Sequence, residues 1–216
     1  MRLTYINPNA TRAMTDAVVA VARAALPSAS ITGLTNTDGP PAIQGEADGR
    51  AALPGLERHI AAAEASSDAI VIACFDDTGL AAAQAGAGCP VLGIGQAAYL
   101  MAALQGLRFS VVTSTAASLP VIEANIDRLG VRAHCASVRA SGLPVLTIEE
   151  GSEETRRTLA EAIREAKEAD GAGAVLLGCA GMAPMAADLA RRSGVRLIDG
   201  VAASAHLAVA AAGFAA

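Results

Sequence analysis

The chain has 216 residues, 53% of them apolar, yet only two Tyr, three Phe and no Trp, with a net charge of −5. An acidic balance without a Lys/Arg cluster excludes a nucleic-acid partner, whose phosphates need a positive face. The longest apolar stretches, such as 200–216, are alanine-dominated and broken by Gly, Ser and His, so they do not read as membrane spans.

The first strand is RLTYI at 2–6, followed by the polar turn INPNAT, where proline ends the ladder and Asn9 or Thr11 is placed to cap a helix over 12–25. ITGLT at 31–35 is a second strand, and 36–49 is a long connection rich in Gly, Pro and Asp, of the kind that forms functional loops. A helix from about 54 to 66 leads to the apolar run AIVIAC, a buried parallel strand ending at Cys74. A helix at 79–86, a strand at 90–94 and a helix at 96–105 complete the first half.

The second half repeats that order. LRFSVV at 107–112 matches MRLTYI with a shift of 106, which sets Asn7, Pro8 and Asn9 against Thr113, Ser114 and Thr115. With a shift of 105, Cys74 falls on Cys179 and VLGIG at 91–95 falls on RLIDG at 196–200. A helix at 153–169 carries Ser152 as its cap and a Glu153 to Arg157 pair, and reads as a solvated outer helix. The repeat implies an α/β fold of two similar lobes from an internal duplication, each a mainly parallel sheet flanked by helices, with the active site in the cleft between them. The last helix packs back on the first lobe, giving lobes of 1–96 with 201–216, and 97–200.

Two thiols at equivalent strand ends face one another across such a cleft, where open α/β sheets bind ligands. A helix N-terminus beside each would favour the thiolate, at a cost of about 1–2 kcal/mol at neutral pH. Cys89 and Cys135 lack partners at the repeat offset and read as packing residues. Four cysteines without CxxC, in a chain whose first residues lack a secretory pattern, read as free thiols in the cytoplasm. GIGQAA at 93–98 reads as a plain strand-to-helix turn, since no acidic residue follows at dinucleotide-site spacing. The three His residues are dispersed, so no metal site is expected. Asp76, Asp77 and Asp199 have capping or acid/base roles open to them, and Thr78, four residues after Cys74, is placed to face the cavity.

INPNAT at 6–11, DGPPAIQGEAD at 38–48, IACFDDTGL at 72–80, SVVTST at 110–115, LLGCAGM at 176–182 and IDGV at 198–201 together resemble the aspartate/glutamate racemase superfamily, specifically its hydantoin and allantoin racemase branch. The resemblance covers nearly the whole chain. It implies a cofactor-independent two-base racemase, with Cys74 and Cys179 as the bases and a small cyclic ureide as substrate. It also implies a homo-oligomer, and substrate contacts from Asn9, Thr113, Ser114, Thr115, Gly79, Ala180 and Gly181, beside Thr78. The branch usually has proline where Thr78 stands and Ser-Ile-Glu where this chain has Ala42, Ile43 and Gln44, positions that bear on the substrate. Alternatives are arylmalonate decarboxylation or maleate isomerisation on the same scaffold, or a non-catalytic two-lobed binder of small ligands.

Overall fold

The computed structural model describes residues 1–214, so the last two residues of the segment 201–216 lie outside the described residues. The first half runs β1 (Arg2–Asn7), α1 (Arg12–Ala25), β2 (Ser30–Thr35), α2 (Glu46–Ala63), β3 (Ala69–Ile72), α3 (Leu80–Gly86), β4 (Val91–Gly93) and α4 (Ile94–Leu104). The second runs β5 (Phe109–Thr113), α5 (Leu119–Arg128), β6 (Cys135–Ala140), α6 (Val145–Glu150), α7 (Glu153–Asp170), β7 (Ala174–Gly178), α8 (Ala186–Ser193), β8 (Leu197–Ile198) and α9 (Gly200–Phe214). The strands form two parallel sheets ordered β2-β1-β3-β4 and β6-β5-β7-β8, each flanked by helices. Of their four central strands, β3, β5 and β7 are buried at every residue and β1 at every residue after Arg2, because a parallel sheet covered on both faces leaves no side for polar groups.

The duplication extends to register. In the first sheet Leu3 pairs with Ala69, and in the second Phe109 pairs with Ala174, the same pairing carried along the chain by the repeat. The last strand departs from the sequence alignment. Ile70 pairs with Val91 but Val175 pairs with Leu197, so Val91 answers to Leu197, Gly93 to Asp199 and Ile94 to Gly200. VLGIG therefore matches the segment one residue beyond RLIDG, because the β7–β8 connection is one residue longer than its counterpart.

Three local expectations change. α2 starts at Glu46, well before 54, with Pro54 inside it. Proline costs that helix a hydrogen bond, but acidic residues Glu46 and Asp48 suit its positive end, and its buried face of Ala52, Leu56, Ile60 and Ala63 outweighs the loss. Thr11 occupies the cap position of α1 without capping it: its hydroxyl donates to the Pro41 backbone carbonyl at 2.7 Å, while the Asn9 side-chain oxygen Oδ1 accepts from the Thr11 N–H and the Asn7 side-chain amide. Ser152 does cap α7, accepting from the Thr155 N–H at 3.1 Å. Glu153, however, pairs with Arg192 of α8 at 2.6 Å instead of Arg157, which bonds Glu161, because α8 packs along that face of α7.

α4 and α9 tie the lobes together by crossing over. α4 follows the first sheet yet packs against β7, β8 and α5, while α9 follows the second sheet and packs against β3, α1 and α4. Tyr5 of β1 is fully buried and shares a 2.9 Å hydrogen bond with Ser204 of α9. Tyr99 of α4 sits edge-on to Phe75 and stacked on Phe109, with ring centroids 5.4 and 5.9 Å apart, which accounts for most of the aromatic packing in so alanine-rich a chain. Among the described residues no helix is long and apolar enough to cross a membrane, and no group of three or more His, Cys, Asp or Glu is placed to hold a metal ion.

Where α4 and α9 begin, Gly200 lies against the carbonyl oxygen of its repeat counterpart Ile94, and a Cβ there would overlap backbone. Backbone cannot yield as a side chain does. Gly200→Ala is expected to cost about 1–3 kcal/mol and to lower Tm by several degrees in calorimetry. Gly86→Ala, where no described atom lies within 4 Å of the new methyl, should leave Tm unchanged or slightly raised.

Candidate active site

The connections leaving β1, β3, β5 and β7 meet between the lobes. Cys74 follows β3, Cys179 follows β7, and both line one small cavity of about 20 Å³, room for roughly one water. Asn9 from the turn after β1, Ser114 from the turn after β5, and Ala180 line the same cavity. Thr78 and Gly79 line an adjoining cavity of about 400 Å³ instead. Thr113 lies behind the cleft, its hydroxyl spent on the Gly178 carbonyl at 2.7 Å. Thr115 precedes a short 3-10 turn, with its hydroxyl oxygen buried and unpartnered among the described residues. The backbone N–H of Gly181 points at the Cys179 sulphur.

Sequence reasoning missed much of the lining. Met14, Phe75, Ser118 and Val145 all reach the cavity, as does Ile43, which the resemblance had already set beside the substrate. Ile43 belongs to the connection 36–45, which folds over the cleft: Pro40 accepts from the Ala10 N–H at 2.8 Å, and the Gln44 side-chain oxygen accepts from the Val145 N–H at 3.0 Å. Only a three-dimensional fold brings this strap to the opposite lobe. Its counterpart in the repeat, the connection from β6 to α7, carries α6 and brings Val145 to the same cavity, a likeness hidden because the two connections differ in sequence; no motif marks Ser118. Asp76 also lines the cleft, accepting from the Ser118 hydroxyl at 3.2 Å and from the Gly45 N–H. Its place directly after Cys74 and Phe75 was the available signal.

The thiols are not poised as the sequence suggests. Burial pushes Cys74 well above its ordinary value, reinforced by the Asp76 charge and opposed by the Asp76 N–H and the Thr78 hydroxyl. Burial likewise lifts Cys179 to about 11, against a lowering contribution from the Gly181 N–H. The expected helix-terminus effect is absent from Cys74 because α3 starts only at Leu80, and Cys179 precedes a short 3-10 segment. Charge on Cys179 adds a last, small rise at Cys74. Burial lifts Asp76 to about 6.

Asp77 holds the Cys74 loop. It is the one non-glycine residue with positive φ among those described, at 49°, and its buried carboxylate accepts from the Gly95 N–H at 2.9 Å and the Gln96 N–H at 2.7 Å. It thus caps α4 from outside the helix, in the space that a side chain on Gly93 would fill. The second lobe solves the same problem internally: Asp199, the counterpart of Gly93, accepts from the Val201 and Ala202 N–H groups of α9. GIGQAA is accordingly a strand-to-helix turn whose first N–H groups are met by Asp77, a carboxyl that burial lifts to about 8.

A family model described as Asp/Glu/Hydantoin racemase matches residues 3–208. A hydantoin racemase of Rhizobium meliloti is 42% identical over 215 residues, covering 99% of this chain and 89% of its own length. An allantoin racemase structure from Klebsiella pneumoniae is 39% identical with a TM-score of 0.91, covering 97% of this chain and 86% of its own. Another, from Pseudomonas fluorescens, is 32% identical with a TM-score of 0.92, covering 97% and 90%.

Asp77→Ala should remove the α4 cap, lower stability by about 2 kcal/mol and release the loop carrying Cys74. Adding Gly93→Asp supplies a cap of the Asp199 kind. The double variant should recover much of the lost Tm in thermal melts while catalytic turnover recovers less, since the bonds that tie residue 77 to α4 stay lost and only the contacts of Asp76 still hold the loop; equal recovery of both would show that the cap alone mattered.

Proposed function

The chain belongs to the Asp/Glu/Hydantoin racemase family, and on that premise we propose that it racemises a 5-substituted hydantoin or allantoin between two thiols, Cys74 and Cys179. It is an isomerase of the hydantoin and allantoin racemase type. The single observation that carries the two-thiol reading is that both cysteines, from equivalent positions of the two lobes, line one cavity.

Racemisation removes a proton from one face of a carbon and returns one to the other, so the flanking groups must be in opposite protonation states. One cysteine is thiolate and takes the C5 proton; the other is thiol and delivers its proton to the opposite face, and the roles exchange for the reverse direction. Charge from C5 flows onto the adjacent ring carbonyl oxygen. The Ser114 hydroxyl, the Asn9 amide and the N–H groups after each cysteine are the donors assigned to it, each worth about 3–4 kcal/mol when well placed. The ring itself activates the proton, and the reading requires no cofactor.

Generating the thiolate is the costly step. For Cys179 at about 11, deprotonation at pH 7 costs roughly 5 kcal/mol, several times the sequence-based figure. The proposed division into lobes 1–96 with 201–216, and 97–200, puts one thiol on each. The reading also includes a homo-oligomer in the cytoplasm, supported by free thiols and by the exposed Leu104 and Phe214.

Cys74→Ser and Cys179→Ser should each reduce racemisation by three or more orders of magnitude in polarimetry on L-5-substituted hydantoins and (S)-allantoin, whereas Cys89→Ser and Cys135→Ser should stay near wild type. In deuterium oxide each of the first two variants should exchange the C5 proton of one enantiomer only. Full activity in either would overturn the two-base assignment. Because burial raises both thiols, kcat/KM should climb with pH from 7 towards 9 as thiolate accumulates; a plateau below pH 7 would contradict the burial described above.

A further inference from the structure

Among the described residues, Asp76 alone lines both the thiol cleft and the adjoining cavity of about 400 Å³. Its side chain is 7% exposed, so it is a wall between the two spaces and not a surface charge. A carboxylate has about four lone-pair positions. Ser118 and the Gly45 N–H occupy two of them, which leaves acceptor capacity beside the reacting centre.

The neighbouring polar groups are differently placed. Arg50 is paired with Glu46 at 2.5 Å, while Asn125 donates to the Asp76 carbonyl at 2.8 Å and accepts from Arg128 at 3.1 Å. Thr78 is the exception. It lines the larger cavity, is 7% exposed, and its buried hydroxyl lies beside the Cys74 sulphur without a well-formed hydrogen bond to any described residue. Gly49, without a side chain, leaves the space over that hydroxyl open, since even a Cβ there would stay 3.9 Å from it. A buried hydroxyl with so weak a partner is under-satisfied, and a ligand oxygen placed to accept from it relieves that cost.

An acceptor at Asp76 and a donor at Thr78, two residues apart on one loop, match a group offering N–H and C=O side by side. Resting on the racemase reading above, we propose that the cavity beyond Asp76 is the subsite for the C5 substituent, and that Asp76 and Thr78 select a ureido or amide substituent over an alkyl or aryl one. The N–H groups of the substituent donate to Asp76 and its carbonyl accepts from Thr78, with Arg128 of α5, which lines the same cavity, adding a favourable charge for that oxygen. An alkyl chain in the same place would desolvate the Asp76 carboxylate and leave both groups unpaired, which is the circumstance in which polar sites discriminate most strongly.

The test compares kcat/KM for racemisation of allantoin, whose ring carries a ureido group, with that for 5-butylhydantoin, similar in reach but without polar atoms in its substituent. Wild type should favour allantoin at least tenfold. Asp76→Ala and Thr78→Val should each lower that ratio tenfold or more, chiefly through KM for allantoin, and Asp76→Asn should keep part of it. A merely structural role for either residue would depress both substrates together and leave the ratio in place. An unchanged ratio in both variants, or a wild type that favours 5-butylhydantoin, overturns the proposal. A wild type that racemises neither ring overturns the racemase reading and the subsite with it.

Discussion

The carboxylate of Asp77 is the constraint on which the active-site side of the molecule depends. It sits in a left-handed backbone conformation that L-residues other than Asn and Asp rarely adopt, is buried, and spends both oxygens on the first N–H groups of a helix belonging to the other lobe's packing. Those bonds fix the loop between β3 and α3 at the point where it carries Cys74 on one side and Thr78 on the other. Gly93 is required by the same arrangement, since any side chain there would take the space of the carboxylate. The strain and the desolvation of Asp77 are offset by two otherwise orphaned donors, and the loop is rigid as a result.

Much of this was legible in the sequence because duplication writes the same β-strand pattern twice, and because parallel strands buried on both faces are recognisable as apolar runs. The equivalence of Leu3–Ala69 with Phe109–Ala174 was implicit in two offsets read from residues alone. What escaped notice depends on contacts between segments distant in sequence. Pro54 looks like a helix start until the buried face of α2 is seen to extend on both sides of it. The strap carrying Ile43 and Gln44 reads as a loop, with nothing to say that it reaches Val145. The thiol environment was misjudged for a related reason: adjacency to a helix is visible in sequence, whereas the depth of burial that outweighs it is not.

On the proposed mechanism, the near-equivalence of the lobes suits the reaction. Racemisation has an equilibrium constant of one, so a scaffold with like surroundings for its two bases gives like barriers in both directions. The likeness is broken only in detail, with Asp76 and Thr78 beside Cys74 and the Gly181 N–H beside Cys179. A dry site makes each thiolate costly, but it also strengthens every donor aimed at the developing charge.

The crossing of α4 and α9 bears on how the chain comes into being. The hydrogen bond between Tyr5 and Ser204 joins residues 199 positions apart, and one face of the first sheet is covered by a helix made last. During synthesis the first lobe therefore emerges early and waits, its sheet open on that side, while the second lobe has all its elements, α4 included, before α9 is translated. Such long-range closure slows folding and prolongs the exposure of apolar surface. A gene cut at its midpoint would not return the two ancestral halves, because each half now ends in a helix that the other one needs.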